Sequence, residues 1–229
     1  MKAIFFDAGP IISLTMNNLL WLLDALKKRF NGKFYITPAI KRELVDKPMK
    51  TKRFKFEAMQ IMKLIDDGVL EILEDGLLNK RTKELIDLAN QSFKARGTWI
   101  KMLHTGEVET IAAAVDYGGE AAVIDERAMR VIIEKPDELK KLMMRKLHTK
   151  VIANERNLRE FSKIVQDVKV IRSIELVTRA FELGLLDKYL PKKAKSKKEL
   201  LDAVLWGVKI DGCSVSKQEI EEILRLEKS

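Results

Sequence analysis

The residues of this chain best suited to chemistry are acids that stand where apolar segments stop. Asp7 ends the run Ala3, Ile4, Phe5, Phe6, and Asp125 ends the run from Ala121 to Ile124. Neither run alternates polar with apolar residues, which is the pattern of a strand buried on both faces of a parallel sheet. Glu43 and Glu107 stand near the starts of two segments with helical patterning. Each acid alone has an ordinary explanation. Asp7 suits a turn or a helix cap, Glu107 a helix N-terminus, and Glu43 a mixed-charge face beside Lys41 and Arg42. Together they imply more, because a right-handed parallel sheet brings the ends of its strands and the starts of the following helices to one rim. Four carboxylates converging there would repel one another and hold their protons tightly unless a cation lay between them. Mg²⁺ or Mn²⁺ is the natural occupant, since both favour oxygen ligands and leave positions open to water or phosphate. Such an ion acidifies a bound water, polarises a phosphoryl group and neutralises developing charge, and a pair about 4 Å apart acts on both attacking and leaving oxygens. This is nuclease chemistry, and it requires no nucleophilic Ser or Cys with a base.

Composition points the same way. The chain has 229 residues, 46% of them hydrophobic, enough for a full core. One cysteine and two histidines exclude a disulfide framework and make a Cys- or His-based metal site poor, so a metal would have to be held by oxygen. No apolar stretch approaches a bilayer span, and a soluble, cytoplasmic protein is expected. Forty-three basic against 34 acidic residues give a net charge of +9. The basic residues are bunched: Lys47, Lys50, Lys52, Arg53 and Lys55; Lys140, Lys141, Arg145, Lys146 and Lys150; and Lys188, Lys192, Lys193, Lys195, Lys197 and Lys198. Bunching of this kind suits a polyanion such as RNA or DNA, although lysine-rich surfaces also serve simply as solvated faces.

The elements that must position the acids follow from periodicity. Gly9-Pro10 reads as punctuation after the first strand, and residues 17–30 read as an amphipathic helix. A short strand at 34–36 precedes a helix opened by Thr37-Pro38, which carries Glu43. Helices are predicted over 54–65, 81–94 and 104–117, the last with Thr105 as its N-cap, and a short extended piece at 69–72. A buried strand at 121–124 delivers Asp125. Beyond it come helices at 136–147 and 154–165, a strand at 168–171, a helix at 174–185 and a basic linker at 191–198. Two more helices close the chain, the last announced by the capping box Ser216-x-x-Glu219. The alternation is that of an α/β fold centred on the two acid-bearing strands.

In that order the motifs resemble the PIN-domain family of metal-dependent ribonucleases, whose fold is shared by the toxin nucleases of toxin–antitoxin pairs. Asp7 in IFFDAGPIISL takes the place of the family's first aspartate, and Glu43 in ITPAIKREL that of the glutamate of the second motif. In HTGEVETIAAAVDYGGEAAVIDERAMR, Glu107 begins the alanine-rich helix and Asp125 follows the fourth-motif strand. VIRSIELVTRAFELGLLD and GVKIDGCSVSKQEIEEIL resemble the last strand, final helix and tail of a long branch of the family. Two features depart from the common pattern: Glu107 stands where many members have Asp, and Ile124 directly precedes Asp125. The resemblance implies a three-layer α/β/α sandwich around a mostly parallel sheet. It implies a nuclease domain over 1–190 with added helices at about 134–166, and a basic linker with packed C-terminal helices over 191–229. It further implies an Mg²⁺- or Mn²⁺-dependent ribonuclease, with Asp7, Glu43, Glu107 and Asp125 as metal-binding catalytic residues and Glu109 and Ser13 supporting them from behind. Glu109 is separated from Glu107 by about 200° around its helix, so the two do not easily serve one ion, and Glu109 is expected behind the metal or as a partner for a surface Lys or Arg. Lys50, Lys52, Arg53, Arg127, Arg130, Lys140, Lys141 and Arg145 are the candidate RNA contacts. An antitoxin and a second copy of the chain are possible partners, and a non-catalytic RNA-binding protein that retains the acidic pocket is the alternative. A phosphatase whose first strand also ends in FFD would need a second aspartate where Gly9 stands, and AGP is not the glycine-rich turn of a dinucleotide fold.

Overall fold

The computed structural model describes residues 2–73, 78–191 and 197–227. Among these, β1 (Ala3–Phe6), β2 (Lys33–Ile36), β3 (Glu71–Ile72), β6 (Ala121–Val123) and β8 (Lys169–Ile171) form a parallel sheet in the order β3-β2-β1-β6-β8. The unbroken apolar run of β1 has its expected consequence. Ile4 and Phe6 enter the core on one face, and Ala3 and Phe5 the core on the other. The chain leaves β1 toward β2 and β3 on one side and returns to β6 and β8 on the other. The change of direction therefore falls between β1 and β6, where open α/β sheets hold their ligands.

Helices cover both faces, giving the three-layer sandwich. On one side lie α1 (Ala8–Met16), α2 (Leu22–Phe30), α10 (Ser173–Glu182) and α11 (Lys197–Ile210); on the other lie α5 (Leu78–Asn90), α6 (Thr105–Asp116), α7 (Arg127–Glu134) and α9 (Glu155–Val165). Gly9-Pro10 is not a turn. α1 begins directly after Asp7 and takes Pro10 into its first turn, where a missing N–H costs no intrahelical bond. The helix predicted over 17–30 is shorter, because Asn18 adopts a left-handed conformation (φ 55°) and breaks the chain before α2. Thr37 caps α3 (Pro38–Lys41), which widens into a π-helical turn over Arg42–Asp46 closed by the Lys47 N–H on the Arg42 carbonyl. Such turns are frequent at functional sites, and this one carries Glu43.

A second sheet departs from expectation. The helix predicted over 81–94 ends at Asn90, and β4 (Phe93–Ala95) turns through Arg96 and Gly97, both at positive φ, into β5 (Thr98–Trp99). β7 (Val151–Ala153) pairs antiparallel with β4, so the stretch 134–166 contains a strand as well as α8 (Pro136–Leu147) and α9. The N-cap of α6 is His104, one residue before the one expected. No helix among the described residues is long and apolar enough to cross a membrane.

The C-terminal segment is part of the main core. Leu201, Leu205 and Val208 of α11, then Cys213 and Val215, then Ile220 of α12 (Lys217–Leu226) are buried with Phe6 and Leu14. Arg172, buried at the end of β8, locks this segment down. Its guanidinium donates to Glu175 (2.5 Å), to Glu219 (2.8 Å) and to the carbonyl of Ser214 (3.0 Å). Burial pushes Glu219 upward, but the Ser216 backbone N–H and Arg172 more than offset this and take it down to about 2. Replacing Arg172 by Met leaves a buried carbonyl and two carboxylates without their shared donor. The substitution is expected to cost about 2–4 kcal/mol of unfolding free energy and to raise hydrogen exchange across 207–216. Unchanged stability and exchange would show that the segment docks by apolar contact alone.

Candidate active site at the sheet rim

A cavity of about 460 Å³ lies at the carboxyl ends of β1 and β6, and Asp7, Glu43, Glu107, Asp125 and Glu126 all line it. Asp7 leaves β1 as the N-cap residue of α1, and its N–H is held by the Val123 carbonyl of β6 at 3.0 Å. Glu107 lies in the first turn of α6, Glu43 on the exposed face of the π-turn, and Glu126 at the N-cap of α7. Two glycines border these groups, and a Cβ at either would be in ordinary contact with them. A Cβ at Gly9 would lie 3.6 Å from both Asp7 Oδ2 and the Asp125 Cβ, and one at Gly106 would lie 4.0 Å from Glu43 Oε2.

The acids feel one another. Burial, with like charge from Glu43 and Asp125, outweighs the Ala8 and Gly9 backbone N–H groups and raises Asp7 to about 6. Burial followed by the charges of Asp7, Glu126 and Glu43 raises Glu107 to about 8, against a weaker opposing bond from the backbone of His104. Without a cation Glu107 is thus biased toward its protonated form, and its Oε2 is buried with no hydrogen-bond partner among the described residues.

Asp125 behaves differently. It is 4% exposed, and both its oxygens are engaged, Oδ1 by the Ser173 N–H at 2.7 Å and Oδ2 by the Ser173 hydroxyl at 2.8 Å. Burial raises it, while Ser173 and the Cys213 thiol oppose the rise. The same contact pushes Cys213 up to about 12, first by burial and then by the Asp125 charge. Ser214 donates its N–H to the Asp125 carbonyl, and Gly212 and Ser214 form part of the cavity wall. Sequence reasoning missed Glu126, Ser173, Cys213 and Ser214 as members of this site. The acid run IDER offered a signal for Glu126, whereas the other three arrive only through tertiary packing.

Ser13 and Glu109 are the two residues expected behind the acids. The Ser13 hydroxyl donates to the Val208 carbonyl at 3.3 Å and ties α1 to α11, away from the cavity. Glu109 is buried within α6 and does not line the cavity. Among the basic candidates, Arg130 is turned to Glu219 (3.8 Å) and Glu134 (4.0 Å) rather than to the cavity. Lys50, Lys52 and Arg53 are exposed near Pro48 and Phe54, which share a small apolar cavity with Glu43 and Ile12, and the Arg53 guanidinium sits 4.5 Å over the Phe54 ring. Arg127 is exposed at the start of α7, and Lys140, Lys141 and Arg145 project from α8. Of the third cluster, Lys188 sits 3.2 Å over the Trp21 ring and Lys197 pairs with Asp187, while Lys192, Lys193 and Lys195 lie outside the described residues.

Among the described residues no three acids, histidines or cysteines already converge as a ready-made ligand cluster. The donor chemistry nonetheless fits a hard divalent ion: five carboxylates line the cavity beside the single imidazole of His104, one carboxylate oxygen is buried without a partner, and like charges crowd one another. Mg²⁺ commonly takes only one or two carboxylates, with water and substrate phosphate completing its shell.

Residues 3–137 match the family described as DUF3368, a PIN domain, and the chain belongs to that family. PIN domains are typically nucleases that use divalent metal ions. No curated protein matches the chain. The fold is similar to the crystal structure of VapBC2 from Rickettsia felis bound to a DNA fragment from their promoter, with 11% identity, 75% of this chain and 98% of that chain covered, and a TM-score of 0.46.

The raised acids make stability depend on pH in a defined direction. Asp7 at about 6 and Glu107 at about 8 both exceed their ordinary values of 3.8 and 4.5. The folded state then holds protons that the unfolded chain has released. The stabilisation is complete below about pH 4 and is lost as pH rises through 6 and 8. In chelator, the unaltered protein is expected to lose several kcal/mol relative to an Asp7→Asn/Glu107→Gln variant across this window, at up to about 1.4 kcal/mol for each pH unit by which a group is raised, and Mn²⁺ should restore it. Thermal melts of both proteins from acid to mildly alkaline pH check this; parallel curves would contradict it.

Proposed function

We propose that this PIN domain is a divalent-metal-dependent endoribonuclease that hydrolyses RNA phosphodiester bonds in the acid-lined cavity. The observation that carries the reading is the electrostatic coupling of Asp7, Glu43 and Glu107 in one pocket at the switch point of the sheet. Asp7, Glu107 and Glu43 would hold Mg²⁺ or Mn²⁺, with Glu126 at the outer wall. The ion, when bound, supplies charge neutralisation at the scissile phosphate and a more acidic water. The protein supplies position. β1 and α1 fix the Asp7 carboxylate, the first turn of α6 presents Glu107, and Gly9 and Gly106 line the cavity between them. Glu107 must surrender its proton before it can serve as a ligand, so ion binding near neutral pH should release protons and strengthen as pH rises toward 8. Asp125 is best read as a positioning residue, since its carboxylate holds the N-terminus of α10 through Ser173. Basic side chains around the rim would bind the RNA backbone, and DNA is the competing polymer. An antitoxin protein and a second copy of the chain are the partners to seek by copurification.

The engagement of Asp125 by Ser173 favours one second reading, a non-catalytic RNA-binding protein that keeps the pocket. Cleavage of a mixed RNA panel with Mn²⁺ and with chelator separates the two. Asp7→Asn keeps the side-chain volume and removes the charge, and it is expected to reduce Mn²⁺-dependent cleavage by more than about 100-fold, beyond the loss typical of an outer-shell change. Glu107→Gln should lose most activity and Glu109→Gln should keep a substantial part. Full Mn²⁺-dependent cleavage by Asp7→Asn would remove it from the metal site, and RNA binding without cleavage by the unaltered protein would establish the second reading.

A further inference from the structure

A second groove, of about 490 Å³, runs beside the acid pocket between the segment that follows β5 and the helix α8. Its floor is apolar: Ile100, Met102, Leu142 and Met143 are half-buried along it, and Leu147 is 40% exposed at its edge. Its walls carry Lys101, Arg127 and Lys146, each from a different element, all exposed and none in an ion pair among the described residues. This contrasts with Arg130, which two glutamates neutralise. The floor segment is held firmly. The Ile100 N–H donates to the Phe93 carbonyl at 2.8 Å, and Asn90 Oδ1 accepts from the N–H groups of Met102 and Leu103 at 2.8 and 3.1 Å. The groove meets the acid pocket at Glu126, which lines both. Its carboxylate accepts from the Ala128 N–H at 3.0 Å as the cap of α7, and the next residue, Arg127, lines the groove.

The half-buried apolar floor thus lies inside a ring of uncommitted cations. A ligand with regularly spaced anions and flat apolar faces would satisfy both features. We propose that this groove binds the single-stranded RNA segment adjoining the scissile bond, with bases against the apolar floor and phosphates at Lys101, Arg127 and Lys146. The inference rests on the nuclease reading for the role of the neighbouring pocket. Single-stranded substrate follows because duplex bases are stacked and paired away from such a floor, whereas splayed bases reach it. Continuity with the acid pocket favours a nucleic acid over an acidic peptide, because a strand laid in the groove passes Glu126 and delivers its next phosphodiester toward Asp7 and Glu107.

The test uses the full chain in chelator, so that binding is read without cleavage. A labelled single-stranded RNA, the matching duplex and a poly-glutamate peptide are titrated at several salt concentrations. The Lys101→Ala/Arg127→Ala/Lys146→Ala variant is expected to bind the single strand at least tenfold more weakly, with the log–log salt slope flatter by about 2, at roughly 0.7 for each phosphate no longer neutralised. Met143→Ser should weaken single-strand binding and leave the slope alone, and the duplex should respond little to either change. Lys146→Glu, on an exposed helix position, serves if the triple variant does not fold. Unchanged affinity and slope overturn the proposal, as does a groove-dependent response confined to the peptide. Cleavage with Mn²⁺ is measured separately. Groove-dependent binding without cleavage sinks the nuclease reading and keeps this one, whereas cleavage indifferent to the groove variants does the reverse.

Discussion

Phe6 pairs with Val123 in parallel register, so β1 and β6 end side by side and Asp7 and Asp125 leave the sheet as neighbours. Everything at the rim hangs from this pairing. It can exist only if both strands are buried on both faces, which is why the acids come at the ends of unbroken apolar runs. The cores above and below the sheet hold β1 through Phe5 on one side and Phe6 on the other; truncating either ring to Ala would cost about 3–5 kcal/mol and loosen the one strand that carries Asp7.

A rim built in this way concentrates negative charge in a partly dry place, and the protein divides the cost. Asp125 is compensated internally, by two hydrogen bonds from Ser173 and by the thiol of Cys213. Asp7 has only backbone N–H groups that do not offset burial, and Glu107 has less. The uncompensated pair lines the cavity beside Asp125, whose carboxylate is already taken up by Ser173. A site that is meant to receive a cation would show this division, since the charges to be neutralised from outside are the ones left unneutralised from within.

Much of this was legible in the sequence because it is carried by local pattern. Apolar runs marked β1 and β6, and helix-start chemistry marked the places of Glu43 and Glu107. The angle between positions 107 and 109 on one helix separated the acid at the cavity from the acid in the core. Other features left no such trace. Pro10 reads as a breaker although the first turn of a helix accepts it. Strands of two or three residues such as β4, β5 and β7 are too short to display a period, so the small sheet and the groove it supports read as helix and loop. Ser13 sits less than two turns beyond Asp7 in α1 but faces α11, an orientation that only the packing of residue 208 decides. Ser173, Cys213 and Ser214 reach Asp125 across 48 or more residues of chain, and nothing local announces them.

The proposed hydrolysis requires a cation between Asp7 and Glu107. Crystals of the unaltered protein grown with Mn²⁺ on the alkaline side of the Glu107 transition, with diffraction collected to maximise the anomalous signal of manganese, test it most directly. An anomalous peak in the rim cavity, within coordination distance of Asp7 and Glu107 carboxylate oxygens, is the predicted result. A folded protein whose rim cavity shows no peak, or whose manganese binds only at other acids, would contradict it.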